Sequence, residues 1–278
     1  MNTTTPPIAF DSSRAWSDAA AAVTTNRDVL LALAGVFVVL PAFAIAVLLP
    51  FPVPQDGVSP QAMVATWGAY YRSNWSALVA VALLQMIGTL AMLALFTDQA
   101  RPTVSAAIRQ GFVRTPTVIA AQLLLGAAVG AMLLLPVALG GALQSPAFTA
   151  LAVLGALGLG IWAWIRASLV APAVMVDGLT NPLAALKRSW QITEGNVLRL
   201  LLFYALLIIA FVIVTLVLGG IVQLLLALVL GAEPAALAAT LVSAILQAAM
   251  TVYLVAVTAS AHRQLAGPSA QLLSSKFD

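Results

Sequence analysis

The chain has 278 residues, 62% hydrophobic and 8% charged, with a formal net charge of +3 and a mean hydropathy of +1.06. Soluble domains carry about 25% charged residues, so a chain this poor in charge cannot cover a water-facing surface and must use lipid as its solvent. It has no cysteine, which excludes disulfides, thiolate metal sites and cysteine nucleophiles, and no block of like charge marks a nucleic-acid surface.

Residues 1–28 are polar and of mixed charge, with Asp11, Asp18 and Asp28. They lack the basic n-region and short apolar core of a signal peptide, so the segment reads as a cytoplasmic interfacial N-terminus before a retained first helix. Six apolar runs then meet the length of about 20 residues needed to span hydrocarbon. They are Val29–Phe51, Trp75–Phe96, Val118–Leu139, Phe148–Val176, Val197–Leu218 and Ala235–Ala261. The fold class expected is all-α, a polytopic six-helix transmembrane bundle over residues 29–261 with a cytoplasmic tail over 262–278.

Local chemistry refines the runs. Ser59-Pro60 reads as an N-cap and first helical residue, so part of the loop 52–74 is expected to lie on the membrane surface. Its Trp67, Tyr70 and Tyr71, with Trp75, suit an interfacial aromatic belt. The fourth run exceeds the hydrocarbon thickness and is expected to tilt, emerge or kink near Pro172. Gly219-Gly220 predicts a break after Leu218, each glycine weakening a helix by roughly 1 kcal/mol relative to alanine. That leaves Ile221–Leu230 as a short interfacial or re-entrant piece.

Orientation follows the basic residues. Of the 12 lysines and arginines, Arg14, Arg27, Arg101, Arg109, Arg114, Lys187, Arg188, Arg199, Arg263 and Lys276 fall on one side. Arg72 falls on the other and Arg166 within the fourth run. The expectation is a multi-pass protein of the cell inner membrane with both termini cytoplasmic.

The two longer basic connections resemble each other. In each, a span ends in Asp (Asp98, Asp177), a Pro-containing turn follows, and an Ala-rich basic helix leads to the next span. Ala106-Ala107-Ile108-Arg109 matches Ala184-Ala185-Leu186-Lys187, Phe112 matches Trp190, and Thr115 and Thr193 stand near the next entry. Trp16–Val23 with Thr24-Thr25-Asn26 gives a weaker third copy. Gln85 and Arg101 are spaced like Gln247 and Arg263. The expectation is three repeated helical hairpins, each preceded by a cytoplasmic interfacial helix.

The segment Trp164–Asp177, followed by Pro182–Trp190 and Thr193-Glu-Gly-Asn196, resembles the membrane domain of bacterial glycerophosphoryl diester phosphodiesterases. It is also similar to the YciC-like six-helix membrane protein family. The resemblance implies a helical membrane module without chemistry of its own. Catalysis, where present in that group, belongs to a separate soluble barrel, for which the residues after Ala261 are expected to be too few.

Candidate chemistry is sparse. His262 stands alone beside Arg263 and Gln264 and reads as a solvated residue rather than a metal ligand. No His/Cys/carboxylate set has metal spacing, and no phosphate loop or nucleophile elbow is present. Neither an enzyme nor a cofactor is expected. Gly155, Gly158 and Gly160, like Gly126 and Gly130, read as sites of close helix packing. Arg166 is the exception, because a charge at depth costs about 2.5–3.5 kcal/mol on insertion scales. Trp162, one turn earlier, offers a cation–π contact, and Gln85, Gln122, Gln223 and Gln247 are candidate polar partners. Two readings stand: Arg166 faces a cavity and engages an anionic lipid or solute, or it reaches the cytoplasmic interface near Pro172. Arg109, Arg114, Lys187 and Arg188 are candidate headgroup contacts, as general topological charges or as a specific lipid site. The expected partner is membrane phospholipid, with a small anionic solute as a second option and no nucleic acid. The function expected is a non-enzymatic, lipid-related or envelope-homeostasis role, with a transporter or channel for a small anionic solute or lipid as the alternative.

Overall fold

A computed structural model describes residues 9–53, 57–97 and 103–266. Asp98, Arg101, Lys276 and the C-terminal tail from 267 lie outside the described residues. The described residues contain helices and turns only. Six helical segments, Arg27–Leu48, Pro60–Phe96, Val104–Ala142, Pro146–Val176, Val197–Val229 and Pro234–Ala266, are long and apolar enough to cross a membrane. Only helices and closed barrels satisfy every backbone group in hydrocarbon, and this chain is an all-α, multi-pass membrane protein.

Helix α1 (Ser12–Thr25) starts where the Asp11 carboxylate accepts the Arg14 N–H. The first span comprises α2 (Arg27–Ala34), a π-helical turn (Gly35–Val39) and α3 (Leu40–Leu48). Pro41 explains the π turn: it has no N–H for the Phe37 carbonyl and its ring crowds that oxygen, and the wider turn relieves the clash. Helix α4 (Pro60–Thr97) begins as expected, with the Ser59 hydroxyl accepting the Ala62 N–H at 3.3 Å. The expected surface-lying segment is corrected, because residues 60–74 continue straight into the second span.

Helix α5 (Val104–Ala142) likewise absorbs the basic segment that was expected to form its own interfacial helix before the third span. The fourth span does break, at Ser168-Leu169, into α6 (Pro146–Ala167) and α7 (Val170–Val176). Pro172 lies four residues after Ser168 and cannot donate to its carbonyl. Asp177 caps α7, Gly178 turns the chain with φ +68°, and Asn181 opens α8 (Pro182–Thr193) by accepting the Leu183 and Ala184 N–H groups. Helix α9 (Val197–Leu230) runs unbroken through Gly219-Gly220, overturning both the predicted break and the separate Ile221–Leu230 piece. Helix α10 (Ala232–Ala266) continues beyond the expected boundary at Ala261.

Packing is concentrated at one end, the end bearing Arg114, Lys187, Arg188 and Arg263. There α4 buries Leu90, Ala91, Met92, Leu93 and Ala94 in succession, and α10 buries Val255, Ala256, Val257 and then Ala259 through His262. A helix buried on all faces is surrounded, so the ends of α4 and α10, with Val170–Val174 of α7, form the centre. The other elements wrap them: α1 packs on α10, α5 on α4, and α8 on α6 and α7.

Toward the far end this core disappears. No described residue of α9 after Leu207 is buried, and between Ala121 and Ala156 only Gly140 is. Most of the glycines divide the same way, Gly140 being the exception because it packs directly on Thr149 of α6. A Cβ at Gly111 would stand 2.7 Å from the Ile87 carbonyl oxygen and 3.0 Å from the Ala91 nitrogen, so α5 and α4 touch backbone to backbone there. Gly126, Gly130, Gly155 and Gly158 instead face open space, correcting their reading as packing sites. Gly160 alone of that group has a neighbour, Val129, at 3.3 Å.

Candidate functional site

Arg166 sits in the last turn of α6, just before the α6–α7 break, where α8 folds back across the end of the fourth span. Its guanidinium packs against two indoles, 5.3 Å from the Trp162 ring and 5.4 Å from the Trp190 ring. The indoles meet edge to face at 5.2 Å. Nη1 donates to the Trp190 carbonyl at 3.0 Å. The Trp162 contact is the one expected from the four-residue spacing. Trp190 is new, because it comes from the neighbouring helix.

The break itself is stitched to α8 by the Ser189 hydroxyl, which Thr193 backs from within α8. Ser189, wholly buried, donates to the Arg166 carbonyl at 2.7 Å and accepts the Leu169 N–H at 3.2 Å. Thr193 donates to the Ser189 carbonyl at 2.8 Å. Two groups freed by the break, the Arg166 carbonyl and the Leu169 N–H, are thus satisfied by one side chain, as burial away from water demands.

Arg166 draws on none of the expected glutamines in these contacts. Gln122, Gln223 and Gln247 are exposed on the outward faces of α5, α9 and α10, and Gln85 is half-buried on α4. The polar set that the sequence grouped around Arg166 is therefore not assembled by the fold.

The four basic candidates divide into two kinds. Arg114 donates to the Gly178 carbonyl at 3.0 Å, and Arg188 Nε donates to Asp177 Oδ2 at 2.8 Å. Both hold the α7–α8 corner. Arg109 and Lys187 are exposed and face outward as headgroup contacts would.

Asp177 is the hub of this corner. Its Oδ2 also lies 3.7 Å from His262 Nε2, beyond hydrogen-bond reach but within ion-pair range. Partial burial pushes the Asp177 carboxyl up, and His262 and Arg188 more than offset it, leaving its pKa below the ordinary 3.8. His262 is 1% exposed, correcting its reading as a solvated residue. Neighbouring Arg263 closes the α4 end by donating to the Phe96 carbonyl at 2.8 Å, and the Gln264 side-chain oxygen accepts the Asp11 N–H. The N-terminal segment is pinned again where Asn196 Oδ1 accepts the Phe10 N–H at 2.8 Å and Trp16 stacks on Tyr253.

Sequence reasoning missed Trp190, Ser189 and the Asp177–His262 contact. The alignment of Trp190 with Phe112 and the aspartate ending each span were the available signals. Among the described residues no group of three or more His, Cys, Asp or Glu could hold a metal ion. Geometry and composition define a helical multi-pass membrane protein with a stitched basic end. Comparison with family models, curated proteins and solved structures finds no match to this chain.

Proposed function

We propose that the chain is a non-enzymatic inner-membrane protein with a lipid-related or envelope-homeostasis role, its basic end and both termini cytoplasmic. The observation that carries the reading is the setting of Arg166. Packed against both Trp162 and Trp190 and bonded to a backbone carbonyl, it anchors α8 at the basic end. Three of the four glutamines that would polarise a solute pathway, Gln122, Gln223 and Gln247, are exposed instead. Exposed Arg109 and Lys187 are placed to meet anionic headgroups, worth about 1 kcal/mol each. The resemblance to the phosphodiesterase membrane domain and the YciC-like family points the same way.

The repeated-hairpin reading has support in equivalent positions. Ala15 and Ala19, Ala107 and Gly111, and Ala185 and Ser189 are each buried pairs four residues apart at the basic end. Thr115 and Thr193 each donate to the carbonyl four residues earlier at 2.8 Å. A transporter or channel for an anionic solute or lipid remains the alternative, favoured by one atom: Arg166 Nε is buried without a partner.

Native mass spectrometry of the purified chain tests the choice. Retained phospholipid that persists in Arg166→Gln supports the lipid-related anchor. A co-purifying small anion lost in that variant supports transport instead. Reporter fusions after Pro146 or Glu233 should read external and those after Lys187 cytoplasmic; a reversed pattern sinks the topology.

A further inference from the structure

We propose that His262 and Asp177 form a proton-operated latch, which ties α10 to the α7–α8 corner when the imidazole is charged and slackens when it is neutral. The proposal stands apart from the lipid-related reading and concerns what the basic end responds to. It starts from a residue that no other contact described above uses. His262 is the only histidine of the chain, and it is 1% exposed, four residues before the end of α10. Its Nδ1 has no hydrogen-bond partner among the described residues, and its Nε2 faces Asp177 Oδ2 at 3.7 Å. At that range a neutral imidazole gains little from a carboxylate, whereas an imidazolium gains an ion pair. The contact therefore has room to close when a proton arrives.

Asp177 supplies the other half. It stands at the turn that joins α7 to α8, and the same oxygen already holds Arg188 of α8 at 2.8 Å. Partial burial pushes its carboxyl up, but His262 and Arg188 hold it below 3.8, so it is ionised throughout the range in which imidazoles ordinarily change charge, about pH 5 to 8. Its side chain is 22% exposed and gives the buried ring a route to water. A proton taken up by Oδ2 passes to Nε2, which restores the carboxylate and leaves an imidazolium facing it. An imidazolium this deeply buried would be costly alone, and Asp177 provides its counter-charge.

The other charges at this end are matched elsewhere. Helix α1 brings Arg14 and Asp18, 3.9 Å apart, and Arg263 feels the Asp18 charge while donating to the Phe96 carbonyl. Helix α2 brings Arg27 and Asp28, paired at 3.3 Å. Lys187 of α8, Glu194 after it and Arg199 of α9 are exposed, and Arg114 of α5 donates to the Gly178 carbonyl. The π-helical turn, α3 and α7 carry no charged residue, and the one charge in α4, Arg72, lies toward its other end. Among the described residues Asp177 is the one carboxylate within 4 Å of the ring.

A sole histidine makes the test direct. In the purified full chain with nitrogen-15 in the imidazole, ring resonances should show a proton gained between pH 8 and pH 5.5, and the protonated fraction at pH 6.5 should be lower in Asp177→Asn. The amides of Asp177, Leu183, Ala184 and Ala185, all bonded within the corner, report its closure. Corrected for the intrinsic pH dependence of exchange, they should exchange about threefold more slowly at pH 5.5 than at pH 8, the order expected of one partly exposed ion pair. His262→Gln should exchange at the alkaline rate at both pH values. Arg188→Gln, which leaves Asp177 to the imidazole, should widen the ratio and keeps the test open if the histidine variant does not fold. A ring whose charge is constant from pH 8 to pH 5.5, a protonated fraction indifferent to Asp177→Asn, a ratio that survives in His262→Gln, or equal exchange at both pH values in Arg188→Gln overturns the proposal.

Discussion

The two ends of the bundle are both predominantly apolar and behave differently. At the basic end, Ala, Gly and Ser let backbones meet, and carbonyls at helix ends are taken up by Arg114, Arg166 and Arg263. At the far end α9 exposes Val212, Ile213, Val214, Leu216, Val217 and Leu218 in near-succession. The contrast teaches that apolarity does not drive packing here. Lipid is as apolar as leucine, so helices hold together where small residues permit close approach and polar groups bond across.

The sharpest challenge to this contrast is to overfill both ends. Gly111→Leu should destabilise the chain by about 1–3 kcal/mol or more, because its neighbours are backbone atoms that cannot move aside. Gly126→Leu, facing open space, should leave thermal unfolding in detergent unchanged. Equal losses would mean that the far end is packed after all.

Next in size is Arg166→Ala. Loss of two indole contacts and one carbonyl bond should cost about 2 kcal/mol, while Arg166→Lys, which keeps charge but not the planar guanidinium, should recover only part. Limited proteolysis between α7 and α8 would read the loosened corner directly. A lysine variant as resistant as the parent would reduce the clamp to a simple charge.

Smaller still is the pH effect. The Asp177 carboxyl is held below its unfolded value, so its stabilising contribution is complete above about pH 4 and fades as the pH falls through the folded value. Melting temperatures measured from neutral pH down to pH 3 should decline, and Asp177→Asn should remove that component of the decline. Asp177 and Arg188 are partly solvent-exposed, so the loss of that pair at neutral pH should be at most about 1 kcal/mol. Smallest is Leu216→Ala at the far end, expected within about 0.5 kcal/mol of the parent.

Hydropathy made all six spans legible, because hydrocarbon solvation is a property of composition over a window of sequence. The break expected at Gly219-Gly220 failed for a physical reason: the glycine penalty comes from helices in water, where a freed backbone group finds solvent. In hydrocarbon it finds nothing, and α9 stays helical. At Ser168-Leu169 the same rule is satisfied differently, since Ser189 supplies what the broken helix gives up. The site was legible only in its local half. Trp162 follows from helix periodicity, whereas Trp190 lies 24 residues from Arg166 and reaches it only through the reversal at Gly178. His262 looked solvated beside Arg263 and Gln264, yet those neighbours turn to Phe96 and Asp11 and leave the imidazole between helices.

Helix α4 carries one more consequence. Its 38 residues extend about 57 Å, nearly twice a hydrocarbon core of about 30 Å. The rings of Phe51, Trp67, Tyr70 and Tyr71 cluster partway along it, and the Tyr70 hydroxyl ties this cluster to the end of α3 by donating to the Leu49 carbonyl at 2.8 Å. From Tyr70 to Phe96 the helix rises about 39 Å, close to a whole bilayer with its headgroups, about 40–45 Å. The rod thus works as a gauge, with an aromatic mark at one graduation and an arginine-closed stop at the other. A thinner membrane would have to lean the gauge over, and the hairpin fastened at Leu49 would lean with it.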